Sequence, residues 1–217
     1  MKKDLTELVF ILDRSGSMAG LESDTIGGYN AMLRKQKAGV GEAIVTTVLF
    51  DDKYELLHDR IDIRGIKPIT EKDYYVRGST ALLDAMGRTI SKIGNAQRHT
   101  SDELRAEKVL FVITTDGMEN ASHEYDYAKI RAMVERQQQK YGWEFIFLGA
   151  NIDAFDAAGQ MGIRADRTAN YHADSVGTTV NFEAVSEVVT QIRGKKQISD
   201  DWKAAIDADY QSRKGKR

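Results

Sequence analysis

Short apolar runs of strand length alternate along this chain with longer segments in which apolar residues recur at the helical period. The apolar runs lie at 8–12, 43–50, 109–113 and 145–148. Strands that are apolar on both faces are typical of a parallel sheet that helices cover on both sides. We therefore predict an α/β fold with a doubly wound, mostly parallel central sheet of the Rossmann-like type.

One strand is expected to run against the others, at an edge of the sheet. The polar turn Asp51-Asp52-Lys53 connects the run 43–50 to residues 54–61, which carry more polar side chains. This pattern predicts a hairpin whose second strand is an antiparallel edge strand. Helices are predicted at 25–37, from 80 onward, at 127–141, 153–161 and 178–192, and a weak last strand at 167–171.

We divide the chain at Gly194, because the predicted sheet and its helices are complete by that point. Residues 1–194 are expected to form one domain. Residues 195–217 are expected to form a C-terminal helical appendage, with Trp202 and Ile206 four residues apart, and a basic tail. The tail contains Arg213, Lys214, Lys216 and Arg217.

Composition narrows the classes of function. The 31 basic and 33 acidic residues give a formal net charge of −2, which provides no general attraction to nucleic acid or to an anionic membrane. Cysteine is absent, which excludes a thiolate metal site and a cysteine nucleophile. The apolar stretch near the N-terminus ends at Asp13, too early for a signal sequence or a membrane span. We expect a cytoplasmic protein that binds neither nucleic acid nor membrane.

Oxygen-bearing side chains stand where two of the predicted strands end. Asp13, Ser15 and Ser17 follow the first strand, Asp116 follows the strand 109–113, and Thr80 opens a predicted helix. Ligands of open α/β sheets bind at the carboxyl ends of the strands, so we expect these side chains to meet there. Hard oxygen ligands suit Mg²⁺, with Mn²⁺ as the alternative cation.

These residues resemble a known motif. Asp13-Arg14-Ser15-Gly16-Ser17, then Thr80, then Asp116-Gly117 is similar to the metal-ion-dependent adhesion site of von Willebrand factor type A (vWA) domains. That family's pattern is Asp-x-Ser-x-Ser, a distant Thr and a distant Asp, and all five positions are filled here. The likeness covers roughly residues 5 to 193 and points to a stand-alone, bacterial-type vWA protein.

The resemblance implies a way of binding. Ser15, Ser17 and Thr80 would bind the cation directly, while Asp13 and Asp116 would hold its water ligands. The cation then keeps most of its charge, and an Asp or Glu of a protein partner completes its coordination. If Asp116 became a direct ligand instead, the partner would be held less tightly.

Each of the five residues also has an ordinary structural explanation as a helix cap or a turn residue. Only their combination is specific. Candidates for the rim of the site are Glu119 and Asn120, which alternatively cap the following helix, and Asn151 and Asp153, which end the strand 145–148 at the same edge.

Three functions fit such a site. We favour a metal-dependent protein-interaction module that is not an enzyme. A metal-dependent phosphohydrolase is an alternative, because haloacid-dehalogenase-like phosphatases also place an Asp after the first strand; they carry a second acid two residues later, where this chain has Ser15. The other alternative is an accessory subunit that docks on a separately encoded AAA+ ATPase, as vWA domains of metal chelatases do.

Overall fold

Within the described residues, 1–213 of a computed structural model, six strands form one sheet in the order β3-β2-β1-β4-β5-β6. The strands are β1 Lys2–Asp13, β2 Glu42–Phe50, β3 Tyr54–Asp62, β4 Ala106–Thr115, β5 Glu144–Ala150 and β6 Thr168–Tyr171. Neighbouring strands are parallel except for β2 and β3, which are antiparallel. The predicted mostly parallel sheet with one antiparallel edge strand is confirmed.

Helices cover both faces of the sheet. They are α1 Glu22–Lys37, α2 Leu82–His99, α3 Tyr127–Tyr141, α4 Ala154–Gln160, α5 Ser175–Arg193 and α6 Ala204–Arg213. In β1, Leu8, Phe10 and Leu12 pack toward α1, α5 and α6, whereas Val9 and Ile11 pack toward α2, α3 and α4. This alternation explains why the central strands are apolar on both sides.

Helix starts differ from the sequence prediction by a few residues. Helix α1 begins at Glu22 rather than at residue 25, and acidic residues in a first turn interact favourably with the helix dipole. Helix α5 begins at Ser175 rather than at residue 178, because the Asp174 side chain accepts a hydrogen bond from the Gly177 N–H at 2.9 Å. Asp153 caps α4 and lies outside it.

The segment after Gly194 packs on the main core. Ile198, Trp202 and Ile206 are buried in the same apolar cluster as α1 and α5. The Trp202 indole donates a hydrogen bond to the Asp166 carbonyl at 2.8 Å, and the Lys203 ammonium donates one to the Thr168 carbonyl of β6 at 2.6 Å. The predicted appendage therefore packs beside edge strand β6. The domain boundary at Gly194 stays a prediction, and Lys214, Lys216 and Arg217 of the predicted basic tail lie outside the described residues.

Among residues 1–213, no helix combines the length and the apolar character that crossing a membrane requires.

The burial of Trp202 leads to a first prediction. Replacing Trp202 by Ala should lower the free energy of unfolding by about 3–5 kcal/mol, because it removes a buried indole and leaves a cavity. Urea unfolding measures this change. Tyr141→Ala, at an exposed aromatic residue, is the control and should change stability by less than about 0.5 kcal/mol. Equal effects of the two substitutions would show that the C-terminal segment contributes little to the core.

Candidate metal site

The five predicted oxygen ligands lie on three loops at the carboxyl ends of β1 and β4. Asp13 is the last residue of β1, and Ser15 and Ser17 belong to the turn that follows. Asp116 comes directly after β4, and Thr80 lies two residues before α2. Since β1 and β4 are adjacent and parallel, their carboxyl ends share one edge of the sheet.

The hydroxyl groups form a connected cluster. Ser15 Oγ lies 3.0 Å from Ser17 Oγ, and Thr80 Oγ1 donates a hydrogen bond to Ser15 Oγ at 3.1 Å. Ser17 Oγ donates to Asp116 Oδ1 at 2.6 Å. The structure thus brings together the side chains of four of the five predicted residues.

Asp13 lies next to the cluster and contacts its residue Ser15 through the backbone. One oxygen accepts a hydrogen bond from the Ser15 backbone N–H at 2.7 Å, and the other accepts one from Thr115 Oγ1 at 2.5 Å. The carboxylate is buried and has a hydrogen-bond donor at each oxygen. Asp13 therefore braces the turn that carries Ser15, which is compatible with its predicted place behind the cation's water ligands.

The side chains present fit a small divalent cation. Neighbouring oxygens around an octahedral ion with 2.0–2.1 Å bonds lie about 2.9 Å apart, close to the 3.0 and 3.1 Å that separate Ser15 from Ser17 and from Thr80. Asp116 Oδ2 is buried and has no hydrogen-bond partner among residues 1–213. A buried oxygen of this kind needs a donor or a cation.

A small space faces the three hydroxyls. A Cβ atom placed on Gly117 would lie 3.0 Å from Ser17 Oγ, 3.1 Å from Thr80 Oγ1 and 3.9 Å from Ser15 Oγ. Three of the five candidate ligands are hydroxyls. The described residues contain no group of three or more His, Cys, Asp or Glu side chains placed to hold a metal. This donor set is neutral apart from Asp13 and Asp116.

Burial raises the pKa of both carboxyl groups. Desolvation raises the pKa of Asp13 to about 6, against the hydrogen bonds from Thr115 and Ser15, and the nearby Asp116 adds to the rise. Desolvation also raises the pKa of Asp116, while the hydrogen bond from Ser17 opposes it. Two buried carboxylates close together favour either a proton or a cation.

The rim candidates Glu119 and Asn120 hold the Thr80 loop in place. Glu119 accepts hydrogen bonds from the Leu83 N–H at 2.9 Å and the Ser122 N–H at 2.8 Å, and Asn120 Oδ1 accepts one from the Thr80 N–H at 2.9 Å. These contacts fasten the loop after β4 to the start of α2.

The alternative role of these two residues, capping of the following helix, is wrong. Asp126 caps α3 instead, since its side chain accepts a hydrogen bond from the Lys129 N–H at 2.8 Å. Asp126 lies directly at the start of α3, whereas Asn120 and Glu119 lie six and seven residues before Asp126.

The other two rim candidates lie at the end of β5. Asn151 is exposed and has a left-handed backbone conformation with φ of 55°. Asp153 is engaged as the cap of α4, accepting from the N–H groups of Phe155 and Asp156 at 3.1 Å. Both occupy the expected edge of the sheet, and their role at a rim stays a prediction.

Sequence reasoning missed Arg14, which lies between two of the ligand residues. Its side chain is 0% exposed, and its Nε lies 3.0 Å from Asp51 Oδ2. Asp51 also accepts hydrogen bonds from Arg77 Nε and the Lys53 N–H, both at 2.6 Å. Burial raises the pKa of Asp51, but these donors and the charges of Arg14 and Arg77 outweigh it and hold the pKa below its usual range.

Gly78 allows two of the ligand loops to approach each other. Its φ is +66°, a conformation that glycine adopts without strain, and a Cβ there would lie 2.2 Å from Asp52 Oδ1. The Gly78 carbonyl accepts a hydrogen bond from the Gly16 N–H at 3.1 Å. This contact sets the Thr80 loop beside the Ser15 turn.

No protein-family model matches the sequence, and a search of curated protein sequences finds no match. Solved structures do match. A von Willebrand factor type A structure from Catenulispora acidiphila matches with a TM-score of 0.58 and 12% identity, over 86% of this chain and 43% of that one. The fold is that of a vWA domain.

Two further solved structures that match this chain hold a metal. Manganese-loaded TRAP protein from Plasmodium vivax has a TM-score of 0.59 and 18% identity, over 84% of this chain and 74% of that one. Proximal thread matrix protein 1 from the mussel byssus, with a zinc-occupied MIDAS motif, has a TM-score of 0.58 and 13% identity, over 85% of this chain and 46% of that one. At these identities the likeness shows the vWA fold alone. The present chain spans less than half of the mussel and Catenulispora proteins.

The raised pKa of Asp13 predicts a pH-dependent affinity for the cation. Above pH 6 the carboxyl is ionised and supports the cation; below its pKa of about 6 a proton competes. The Mn²⁺ dissociation constant should therefore be nearly constant from pH 8 to 7 and rise by about tenfold per unit well below pH 6. Electron paramagnetic resonance of free Mn²⁺ measures it. An affinity that is the same at pH 5 and pH 7 would contradict this role of Asp13.

The space beside Gly117 predicts the effect of a single methyl group. Gly117→Ala should abolish cation binding in calorimetry, because the added carbon occupies the space that faces the three hydroxyls. The backbone φ of Gly117 is not positive, so the fold should tolerate alanine. Gly159→Ala is the matched control, since a Cβ there meets no atom within 4 Å. If Gly117→Ala binds the cation like the wild type, the cation does not sit among these hydroxyls.

Proposed function

We propose that this protein is a divalent-cation-dependent protein-interaction module that captures an acidic side chain of a partner. The observation that carries the proposal is the neutral character of the groups that face the space beside Gly117: the hydroxyls of Ser15, Ser17 and Thr80. A cation held mainly by neutral oxygens keeps most of its positive charge. It then favours an anionic ligand from outside the chain.

Mg²⁺ is the proposed physiological cation, with Mn²⁺ as a substitute. The five side chains offer only hard oxygen atoms, which favour these ions over softer metals. Mg²⁺ also retains water ligands readily, in agreement with carboxylates that act through water.

The partner is proposed to be a protein that presents Asp or Glu to the cation. Ser17 is exposed at the surface, and the neighbouring Met118 is 72% exposed, so a partner's side chain can approach from solvent. A separately encoded AAA+ ATPase is one class of partner that fits this chemistry.

We propose further that the site has no hydrolytic activity. A phosphatase would need Asp13 as a nucleophile, but that carboxylate is 1% exposed, and hydrogen bonds from Ser15 and Thr115 occupy both of its oxygens. The position two residues later, where an acid would protonate the leaving group, holds Ser15. Loss of general-acid catalysis typically costs 10²–10⁴-fold in rate.

Thr80→Ala tests the proposal, because it removes one neutral ligand and keeps the backbone contacts of that loop with Asn120. The variant should fold, bind Mn²⁺ at least about tenfold more weakly than the wild type, and lose capture of partner protein in Mg²⁺.

A second experiment uses the wild-type protein loaded with Mn²⁺. The rate at which the bound Mn²⁺ relaxes water protons should fall when an Asp-containing peptide replaces a water ligand, and the matching Asn peptide should have no effect.

Assays of phosphatase activity and of partner release by chelator can contradict the proposal. Wild-type protein should not turn over p-nitrophenyl phosphate in Mg²⁺, and chelator should release the captured partner. Robust hydrolysis that falls in Asp13→Asn, together with partner binding that chelator does not affect, would contradict the interaction module and favour a phosphohydrolase.

A further inference from the structure

Arg14 is a fully buried cation next to a proposed cation site. Its guanidinium contacts the Asp51 carboxylate at 3.0 Å and the Glu55 carboxylate at 2.7 Å. It also lies 5.4 Å from the centre of the Tyr75 ring. Burial of an arginine is costly unless its charge is paired, and here two carboxylates pair it.

The side chain of Arg14 points away from the ligand cluster. Of its two neighbours, Asp13 accepts a hydrogen bond from the Ser15 backbone N–H, and the Ser15 hydroxyl belongs to the hydroxyl cluster. Arg14 instead reaches toward Asp51, in the turn between β2 and β3, and Glu55, near the start of β3. Adjacent residues of this turn thus meet different groups: Arg14 meets Asp51 and Glu55, and Ser15 meets the other hydroxyls.

Asp51 and Arg14 connect two of the three ligand loops. The Asp51 carboxylate holds Arg14 in the first loop, and the Asp51 carbonyl accepts a hydrogen bond at 2.9 Å from the N–H of Ala81, next to Thr80. The Arg14 carbonyl accepts another from the Arg77 N–H, also at 2.9 Å. One buried ion pair thus sets the loop of Asp13 and Ser15 against the loop of Thr80.

We infer that Arg14, anchored by Asp51, is a positioning residue for the cation site: it keeps the Ser15 and Thr80 hydroxyls at the separation that a small divalent cation requires. The inference rests on the proposed cation site. Arg14 itself does not bind the cation, and it acts through the backbone of the turn that carries the ligands.

The sign of the effect separates positioning from simple charge. If Arg14 influenced the cation only through its positive charge, replacing it by Met would remove a repulsion, leave Asp51 and Glu55 with less compensation, and strengthen cation binding. If Arg14 positions the ligands, the same substitution loosens the turn and weakens binding. Loss of a residue that orients ligands typically costs 10–100-fold in metal affinity.

Arg14→Met is the principal variant, and Mn²⁺ alone is the probe. We expect its dissociation constant to rise by about 10–100-fold in the full-length protein. Arg14→Lys keeps the charge but lacks the fork that reaches two carboxylates, so we expect a smaller loss, of about several-fold. A pure charge effect predicts no change for Arg14→Lys, so this variant decides the question if Arg14→Met does not fold.

Arg60→Met provides a matched control. Arg60 Nε lies 2.7 Å from the carboxylate of Glu7, which is completely buried, so the substitution also removes the arginine partner of a buried carboxylate. Glu7 lies six residues before Asp13 on β1, about 20 Å away along the strand. We expect this variant to lower the melting temperature and to leave Mn²⁺ affinity within about twofold of the wild type.

The outcomes distinguish the inference from the proposed function. Absence of Mn²⁺ binding in the wild type overturns the cation site and the inference with it. Wild-type binding with unchanged or tighter binding in folded Arg14 variants overturns only the inference. Equal weakening by Arg14→Met and Arg60→Met also overturns it, since general destabilisation would then account for the loss.

Discussion

The parallel pairing of β1 with β4 is the constraint on which the site depends. Because the two strands run in the same direction, the residues that follow them emerge at one edge of the sheet. The register pairs Leu12 with Thr114, so Asp13 lies beside Thr115 and accepts its hydrogen bond. A slip of one residue would turn Asp13 to the other face and separate it from the Ser17 and Asp116 pair.

The electrostatics of this edge follow from burial. Desolvation penalises the charges of Asp13 and Asp116, whereas the Arg77 and Arg14 side chains and the Lys53 backbone N–H hold the pKa of Asp51 below its usual range. The pKa shifts of Asp13 and Asp116 are thus opposite in direction to that of Asp51. Asp13 and Asp116 are poised to gain a counter-charge from outside, and Asp51 already has its partners within the chain.

Much of the architecture could be predicted from the sequence, because its signals are local. The strands at 8–12 and 109–113 are apolar on both faces, and the candidate ligand residues stand directly after them or before a helix. The roles of Arg14 and of Glu119 could not be predicted in this way. Arg14 meets Asp51, 37 positions away, and Glu119 meets Leu83, 36 positions away, so only the packed fold reveals these contacts. The packing of Trp202 against the core likewise depends on where the fold places the segment after α5, which the neighbouring residues in the sequence do not show.

The hydroxyl cluster has a consequence for how the protein reaches its folded state. Serine and threonine hydroxyls both donate and accept hydrogen bonds, whereas ionised carboxylates only accept. Ser17 can therefore donate a hydrogen bond to Asp116, and Thr80 can donate one to Ser15. When a cation binds the lone pair of a hydroxyl oxygen, the hydroxyl proton can rotate away from it. A site built from three or four carboxylates would repel itself until a metal bound. Within residues 1–213, this one is paired internally except at Asp116 Oδ2, so the folding chain has to bring together only two mutually repelling carboxylates, those of Asp13 and Asp116.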